Sequence, residues 1–149
     1  MHITLSGHFV DKQSLPSLPA GPGAYILFVF LGKKENIRIG ALGKIAFAPG
    51  WYAYVGSALR GLRARVCRHL KSDKKIRWHI DYFLLAGEVK EIFVVENVQK
   101  IECRIARYLA QRLLPAAPRF GAGDCSCATH LFFAPTESQL RKAVIDLFG

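Results

Sequence analysis

Acidic side chains are scarce in this sequence: eleven Asp and Glu stand against 21 Lys and Arg, which gives a formal net charge of +10. A chain this basic favours a polyanionic partner, so nucleic acid is the first candidate and an anionic membrane surface is the second. A third alternative is that the charge serves solubility alone. Residues 60–77 contain eight of the positive charges and a single acid, Asp73. This clustering favours nucleic acid over the other two explanations.

Long apolar runs are also missing. No segment approaches the roughly 20 apolar residues that a membrane-spanning helix needs. The first residues read MHITLSGHFVDKQSLP, which lacks the basic segment and apolar core of a secretory signal. The sequence has four cysteines, and Cys125 and Cys127 are separated by one position, so a disulfide framework is not expected. We therefore expect a protein of the reducing cytoplasm that does not enter a membrane.

What the chain does have is enough apolar material for one folded domain. Hydrophobic residues make up 51% of its 149 residues, which is too many for a disordered chain and enough to bury a core. Residues 24–31, AYILFVFL, form a continuous aromatic and branched run, which is typical of a buried central strand. The order of elements predicts an α+β fold: a small, mainly antiparallel sheet flanked by helices. The core is expected at residues 22–114, with a β-α extension at 115–149.

Hydrophobic periodicity places the remaining elements. Alternating or β-branched runs predict strands at residues 2–5, 51–55, 89–95 and 130–133, and a looser strand pair between residues 37 and 47. Apolar residues at helical spacing predict helices at residues 59–70, 76–85, 101–114 and 136–147. The last of these helices begins at Thr136 with the Thr-x-x-Gln pattern of a capping box.

The rest of the chain is arranged around residues 51–70, WYAYVGSALRGLRARVCRHL. A short aromatic strand reaches Tyr54, and Gly56 after it allows a tight exit or a close backbone approach. A basic helix follows, on which Arg65 and His69 lie one turn apart on the same side. A tyrosine, an arginine and a histidine on adjoining rigid elements indicate a site that handles phosphate. The alternative is a surface helix that is merely basic.

The run YVG at residues 54–56, followed by Arg65 and His69, resembles the second half of the signature of GIY-YIG nucleases. The run GAY at residues 23–25 is similar to the first half, and Glu102 in the run IECRIA completes the order of the family. More narrowly, the fragments PGWYAYVGSA, RWHIDYFL and FGAGDCSCATHLFF resemble a small uncharacterised branch of that superfamily, the DUF123 type, which is sometimes joined to endonuclease III-type proteins. The resemblance covers most of the chain.

The two halves of the signature are farther apart here than in the compact pattern of the family. Tyr25 and Tyr54 are 29 positions apart. We expect an inserted strand or hairpin to fill this interval.

The resemblance implies a metal-dependent DNA endonuclease that hydrolyses phosphodiester bonds in repair, recombination or restriction. Arg65 would stabilise the charge that develops on the phosphate, because a guanidinium is permanently protonated. Glu102 would bind Mg²⁺ or Mn²⁺. Tyr25 or Tyr54 would act as the general base, and His69 would accept a proton from that tyrosine or hydrogen-bond to it. The implied partners are duplex, branched or damaged DNA and a repair glycosylase.

The second motif and the basic residues after it are expected to contact nucleic acid. The full set of expected contact residues is Gly56, Ser57, Arg60, Arg63, Arg68, Lys71, Lys74, Lys75, Arg77 and His79. Two non-enzymatic alternatives stay open: a nucleic-acid-binding module with a degenerate site, and a protein-interaction domain that serves a repair protein. The last of these would show no affinity for DNA on its own.

The C-terminal run CSCATH is a second candidate metal site. Cys125, Cys127 and His130 are of the types that bind zinc, with Asp124 or Cys103 as the fourth ligand. However, C-x-C-x-x-H is not a usual zinc-finger spacing. The preferred interpretation is therefore a buried loop beside the active site, because cysteines are common core residues.

Overall fold

A single six-stranded sheet with helices on both faces forms the body of the protein. The structure is a computed structural model, and it describes residues 6–97, 99–123 and 125–148. The strand expected at residues 2–5 lies outside these ranges. The predicted α+β class with a mainly antiparallel sheet is confirmed. No helix among the described residues is both long and apolar enough to cross a bilayer.

The elements have the following bounds. The strands are β1 (His8–Val10), β2 (Gly23–Leu31), β3 (Glu35–Arg38), β4 (Lys44–Phe47), β5 (Gly50–Ala58), β6 (Glu88–Glu96), β7 (Leu114–Pro115) and β8 (Leu131–Ala134). The helices are α1 (Leu62–Leu70), α2 (His79–Phe83), α3 (Glu102–Leu109) and α4 (Glu137–Phe148), with 3-10 helices at Lys12–Ser17 and Gly40–Leu42.

The strand order of the main sheet is β1-β6-β2-β5-β8-β7, and neighbouring strands are antiparallel. The central strand β2 is buried on both faces, because its side chains alternate between two separate hydrophobic cores. Tyr25 and Leu27 belong to one core, whereas Ala24, Ile26 and Phe28 belong to the other. The apolar run in the sequence is therefore continuous because both faces of β2 are buried.

Helices cover each face of the sheet and complete three layers. On one face, α1 contributes Leu62 and Val66 and α2 contributes Phe83 to the core. On the other face, Ile105 of α3 and Val144 of α4 are fully buried. Both pairs of helices are amphipathic, so each buries its apolar stripe against the sheet.

The interval between the two sequence motifs is filled by a hairpin. Strands β3 and β4 pair only with each other and form a small second sheet. This leaves β2 and β5 free to pair along their whole length, with Tyr25 opposite Gly56 and Leu27 opposite Tyr54. The predicted insertion is confirmed, and the two motifs lie side by side in spite of it.

The start of the basic helix differs from the prediction. Strand β5 continues through Gly56 and ends at Ala58, and α1 begins only at Leu62. Leu59, which was expected on the buried stripe, is 50% exposed. The chain turns at Gly61, whose φ of 137° favours glycine. Gly56 is thus a position within the strand, not its exit.

Two other predicted helices are shorter than expected. The helix predicted at residues 76–85 is α2 alone, because Trp78 is extended and its N–H bonds to the Asp81 carboxylate. The helix predicted at residues 101–114 ends at Leu109, and Leu114–Pro115 pairs with β8 instead. Half of the predicted capping box at Thr136 is present, because its hydroxyl accepts the N–H of Gln139 at 3.3 Å. The Gln139 side-chain oxygen accepts from the Thr136 hydroxyl at 3.0 Å and not from the Thr136 backbone N–H.

Candidate active site

A cleft of about 340 Å³ opens at the end of β5. Strand β8 pairs with β5 only as far as Tyr54, so the edge of β5 over Gly56 and Ser57 lacks this partner. Helix α1 and the N-terminus of α3 approach this free edge. The residues that line the cleft include Tyr25, Tyr54, Arg65, Trp78, Lys100 and Glu102. Residues from both halves of the signature and from α3 therefore share one cavity.

The two motif tyrosines lie beside each other, with ring centroids 6.4 Å apart. A Cβ atom added to Gly56 would lie 2.3 Å from Cζ of Tyr25, so only glycine leaves room for that ring. The Tyr25 hydroxyl lies 2.6 Å from Nε2 of His69, which projects from α1. The glycine of the second motif thus allows the tyrosine of the first motif to reach the histidine.

Burial shifts the pKa values of this group strongly. It raises the pKa of Tyr25 well above the ordinary value, with a further contribution from Tyr54, while Arg65 acts in the opposite direction. Burial also raises the pKa of Tyr54, which Arg65 again partly offsets. The pKa of His69 is lowered to about 3, mainly by burial, so its ring is neutral at physiological pH. The Tyr25–His69 pair is therefore uncharged in the resting protein.

Arg65 is held at the cleft by two neighbours. One guanidinium N–H donates to the carbonyl of Ser57 at 2.9 Å, and the group lies 4.5 Å from the ring centroid of Trp78. A planar guanidinium that is stacked and hydrogen-bonded in this way has lost most of its conformational freedom. Its charge is therefore preorganised for an anion in the cleft.

Glu102 is the first residue of α3 and is only 6% exposed. Its Oε1 atom is paired with Nζ of Lys100 at 3.4 Å, but its Oε2 atom is buried without a hydrogen-bond partner. An unpartnered buried carboxylate oxygen is costly, so a ligand that satisfies it is expected. Among the described residues that line the cleft, Glu102 is the only carboxylate. The donor fits a hard divalent cation.

The expected nucleic-acid contacts are only partly gathered at the cleft. Gly56, Ser57 and Arg60 line it, and Arg60 continues into an adjoining groove that also contains Arg77. Of the remaining residues, Lys71 and Lys74 line a separate groove. The basic run therefore faces more than one surface, and its role in binding stays a prediction.

Four of the expected contact residues make side-chain hydrogen bonds within the protein. Arg63 donates to the carbonyl of Leu18, Lys74 donates to the carbonyls of His69 and Lys71, and the His79 ring accepts the N–H of Gly121. The fourth is Arg68, whose two guanidinium nitrogens bond both oxygens of Asp81 at 3.0 and 2.9 Å. Lys75 is exposed, and its carbonyl accepts a hydrogen bond from the Arg68 guanidinium.

Asp81 is fully buried and anchors the segment before α2. Besides Arg68, it accepts the backbone N–H groups of Arg77 and Trp78 at 2.8 and 3.0 Å. Burial by itself raises the pKa of Asp81, but these bonds outweigh that effect and lower the pKa. The carboxylate therefore stays charged and fixes Trp78, on which Arg65 stacks.

Trp78 and Lys100 are cleft residues that the sequence reasoning missed. Two arginines stack on the Trp78 ring: the guanidinium carbons of Arg65 and Arg68 lie 4.5 and 4.2 Å from its centroid. A tryptophan directly after Arg77 in a basic run was the available signal. Lys100 was signalled only by its position two residues before Glu102.

A second feature adjoins the cleft: the ligand-type atoms of Cys103, Cys125, Cys127 and His130 all lie within 4.8 Å of one another. This cluster can hold a metal ion. The same run also lies beside the cleft, because Cys125 and His130 line it, so the interpretation as a loop beside the active site stays open as well. The fourth member is Cys103, from α3, whereas Asp124 lies outside the described residues. The four cysteines of the chain are free thiols.

The three clustered thiols influence one another. Burial raises the pKa of Cys103 to about 12, with further contributions from Cys127 and Cys125. Burial also raises the pKa of Cys127. For Cys125, the N–H of Cys127 and the neighbouring thiols outweigh the effect of burial and lower the pKa. Without a cation, the cluster thus disfavours more than one thiolate.

The cleft and the cysteine cluster both lie in the part of the chain that a known family shares. No match was found among curated proteins or among solved structures. A family model described as "Domain of unknown function DUF123" matches residues 24–149. That description assigns neither an activity nor a ligand. Because the match spans most of the sequence, the chain belongs to the DUF123 family.

Proposed function

We propose that this protein is a metal-dependent endonuclease that hydrolyses phosphodiester bonds of DNA. The observation that carries the proposal is the shared cleft. Tyr25, Tyr54, Arg65 and Glu102 come from four different elements and line one cavity. These are the residues that the GIY-YIG resemblance selects, and a polyanionic substrate suits a chain with a net charge of +10.

Arg65 would stabilise the transition state. Attack on a phosphodiester places additional negative charge on the phosphate oxygens and on the leaving oxygen. The Arg65 guanidinium lines the cleft and is already fixed by Ser57 and Trp78, so little reorganisation is needed when this charge develops. A preorganised donor of this kind typically contributes about 3 kcal/mol to the stabilisation of a transition state.

Glu102 would hold a cation of the Mg²⁺ or Mn²⁺ class. Its unpartnered Oε2 atom is the donor type that hard cations prefer. When bound, such an ion stabilises the charge on the phosphate and leaving oxygens. A single carboxylate is a weak site, so oxygens of the substrate would complete the ligand set. Lys100 balances the Glu102 charge until then.

Tyr25 would be the general base. Its hydroxyl is hydrogen-bonded to the neutral imidazole of His69, which would take the tyrosine proton as Tyr25 takes one from the attacking water. Burial lowers the pKa of His69, so this transfer would require the negative charge of a bound phosphate to stabilise the imidazolium. Nδ1 of His69 has no hydrogen-bond partner among the described residues. The Tyr54 hydroxyl makes no hydrogen bond within the described part of the chain, so it lacks such an acceptor. This asymmetry favours Tyr25 over Tyr54.

The test is a nicking assay on supercoiled plasmid and branched oligonucleotides with Mg²⁺ or Mn²⁺. Glu102→Gln removes the charge with little change of shape, and we expect it to lower the cleavage rate at least about 100-fold. The matched control is Glu137→Gln, an exposed first-turn carboxylate of α4, which should cut like the wild type. Tyr25→Phe should lose more activity than Tyr54→Phe.

Each outcome has a clear meaning. Cutting that survives Glu102→Gln removes this residue from the mechanism. A larger loss in Tyr54→Phe transfers the base to Tyr54. If the wild type binds DNA in a salt-sensitive way but never cuts it, the enzyme proposal fails and the protein is a binding module.

A further inference from the structure

We propose that Cys103, Cys125, Cys127 and His130 bind one structural zinc ion that joins α3, the loop before β8 and β5. This site goes beyond the proposed nuclease function and does not depend on it. It takes its ligands from two places in the sequence, 22 positions apart at the nearest.

The donor set selects zinc over the hard cations. Three thiols and one imidazole form a Cys₃His set, one of the common sets of structural zinc sites. Soft sulfur ligands disfavour Mg²⁺ and Ca²⁺, which require oxygen. Four protein ligands leave no open position, so the ion would support the fold and would not activate water.

Two nitrogen–sulfur distances in the cluster agree with tetrahedral coordination of one ion. Nε2 of His130 lies 3.4 Å from Sγ of Cys125 and 3.9 Å from Sγ of Cys103. Zinc–sulfur and zinc–nitrogen bonds of standard length place such ligand atoms about 3.6 Å apart. These two distances are therefore close to the spacing that a bound ion would require, and all four donor atoms lie within 4.8 Å of one another.

His130 is oriented as a zinc ligand. Its Nδ1 atom lies 3.1 Å from the carbonyl oxygen of Val55, and a carbonyl can only accept, so Nδ1 carries the proton. This leaves Nε2 as the lone-pair atom, and Nε2 is the atom that faces the thiols. Metal-binding histidines are commonly fixed by this type of second hydrogen bond.

The loop that supplies Cys125 and Cys127 is shaped around the cluster. Arg119 has a positive φ of 60°, and its guanidinium bonds the carbonyls of Cys127 and Ala122. The Arg119 N–H also bonds the carbonyl of Ala128. These bonds fold the loop back toward α3, which brings its two thiols to Cys103.

The site also borders the cleft, because Cys125 and His130 line it and Cys103 directly follows Glu102. A bound zinc ion would therefore fix the N-terminus of α3 relative to β5. Loss of the ion would loosen the position of Glu102 without removing any residue of the proposed mechanism.

The test begins with the intact wild-type chain, purified without added metal and analysed for metal content. We expect about one zinc ion per chain. Removal by a chelator should lower the melting temperature by roughly 5–15 °C, and added Zn²⁺ should restore it. Replacement by Co²⁺ should give the thiolate charge-transfer and visible bands of a tetrahedral site.

Variants assign the ligands. Cys103→Ser and Cys127→Ser should each lose most of the bound zinc, whereas Cys67→Ser, the free thiol outside the cluster, should retain it. The proposal is overturned if wild-type protein holds no stoichiometric zinc and gives no Co²⁺ spectrum. Zinc that persists in both cluster variants overturns the ligand assignment. Zinc content is independent of DNA cleavage, so failure of the nuclease proposal leaves this result intact.

Discussion

Gly56 and Tyr25 face each other across the β5–β2 pair, and their contact sets the geometry of the cleft. The ring of Tyr25 leaves no room for a methyl group at position 56, because the added Cβ would meet its Cζ, hydroxyl oxygen and Cε2 atoms at 2.3 to 2.8 Å. The ring would have to move away from His69, to which it is bonded at 2.6 Å. A single hydrogen atom at this position is therefore a requirement of the site.

We predict that Gly56→Ala destabilises the protein by about 2–3 kcal/mol, the range for overpacking a core. The matched control is Gly21→Ala, where an added Cβ meets nothing within 4 Å, and it should change stability by less than about 0.5 kcal/mol. Urea unfolding of the two variants measures the difference. Equal stability of both would show that the Tyr25 ring has room to shift.

At the scale of elements, α1 and the segment before α2 depend on one buried carboxylate. Asp81 bonds Arg68 of α1 through both oxygens and also holds the backbone at Arg77 and Trp78. Trp78 in turn supports Arg65. Removing the carboxylate would leave the backbone N–H groups of Arg77 and Trp78 without this acceptor, and the largely buried Arg68 guanidinium would keep the carbonyl of Lys75 but lose its counter-charge.

We predict that Asp81→Ala lowers the free energy of unfolding by about 2–4 kcal/mol. The control is Asp146→Ala on α4, whose ion pairs are partly exposed and which should cost no more than about 1 kcal/mol. Because the pKa of Asp81 is lowered, its contribution is present above the ordinary value of 3.8 and is lost as the pH falls below it. The two variants should therefore converge in stability in acid; a difference that persists there would contradict this explanation.

Local pattern and sheet pairing compete in the segment after α3. Apolar spacing predicts a helix through residue 114, yet α3 ends at Leu109. Leu114–Pro115 instead pairs with Phe133 and Phe132 of β8. A strand partner that lies about 18 positions away in the sequence cannot be inferred from a helical period, so this boundary needed the tertiary structure.

At the scale of the whole molecule, the net charge of +10 is distributed over several surfaces. Arg60 and Arg77 share a groove that adjoins the cleft, whereas Lys71 and Lys74 line another groove. In the proposed endonuclease, the exposed arginines beside the cleft would extend its contact with a nucleic-acid backbone. In the proposed complex, Arg60 and Arg77 would therefore contribute more to DNA binding than Lys71 and Lys74.

We predict that DNA affinity falls with salt with a log–log slope of about 0.9 for each phosphate contacted. The double variant Arg60→Ala/Arg77→Ala should reduce that slope by about 1–2. The charge-matched control Lys34→Ala/Lys44→Ala changes two exposed lysines, one directly before β3 and one at the start of β4, and should leave the slope nearly unchanged. Fluorescence anisotropy across a salt series measures both. Affinity that is insensitive to salt would exclude DNA as the partner.

Local sequence determined most helices and strands, because apolar periodicity and turn residues act over a few positions. It also identified the candidate site residues. The AYILFVFL run specifies the central strand, and the tyrosine, arginine, histidine and glutamate positions were selected by motif order. These side chains share one cleft because of long-range strand pairing. Tyr25 lies opposite Gly56 because β3 and β4 pair with each other and leave β2 free to pair with β5. The same holds for Cys103, which meets Cys125, Cys127 and His130 only when α3 and the later loop pack against β5. Cys103 was only one of two candidate fourth ligands in the sequence, because residue type alone does not say which distant side chain comes close. The folded chain brings Cys103 to the other three ligands.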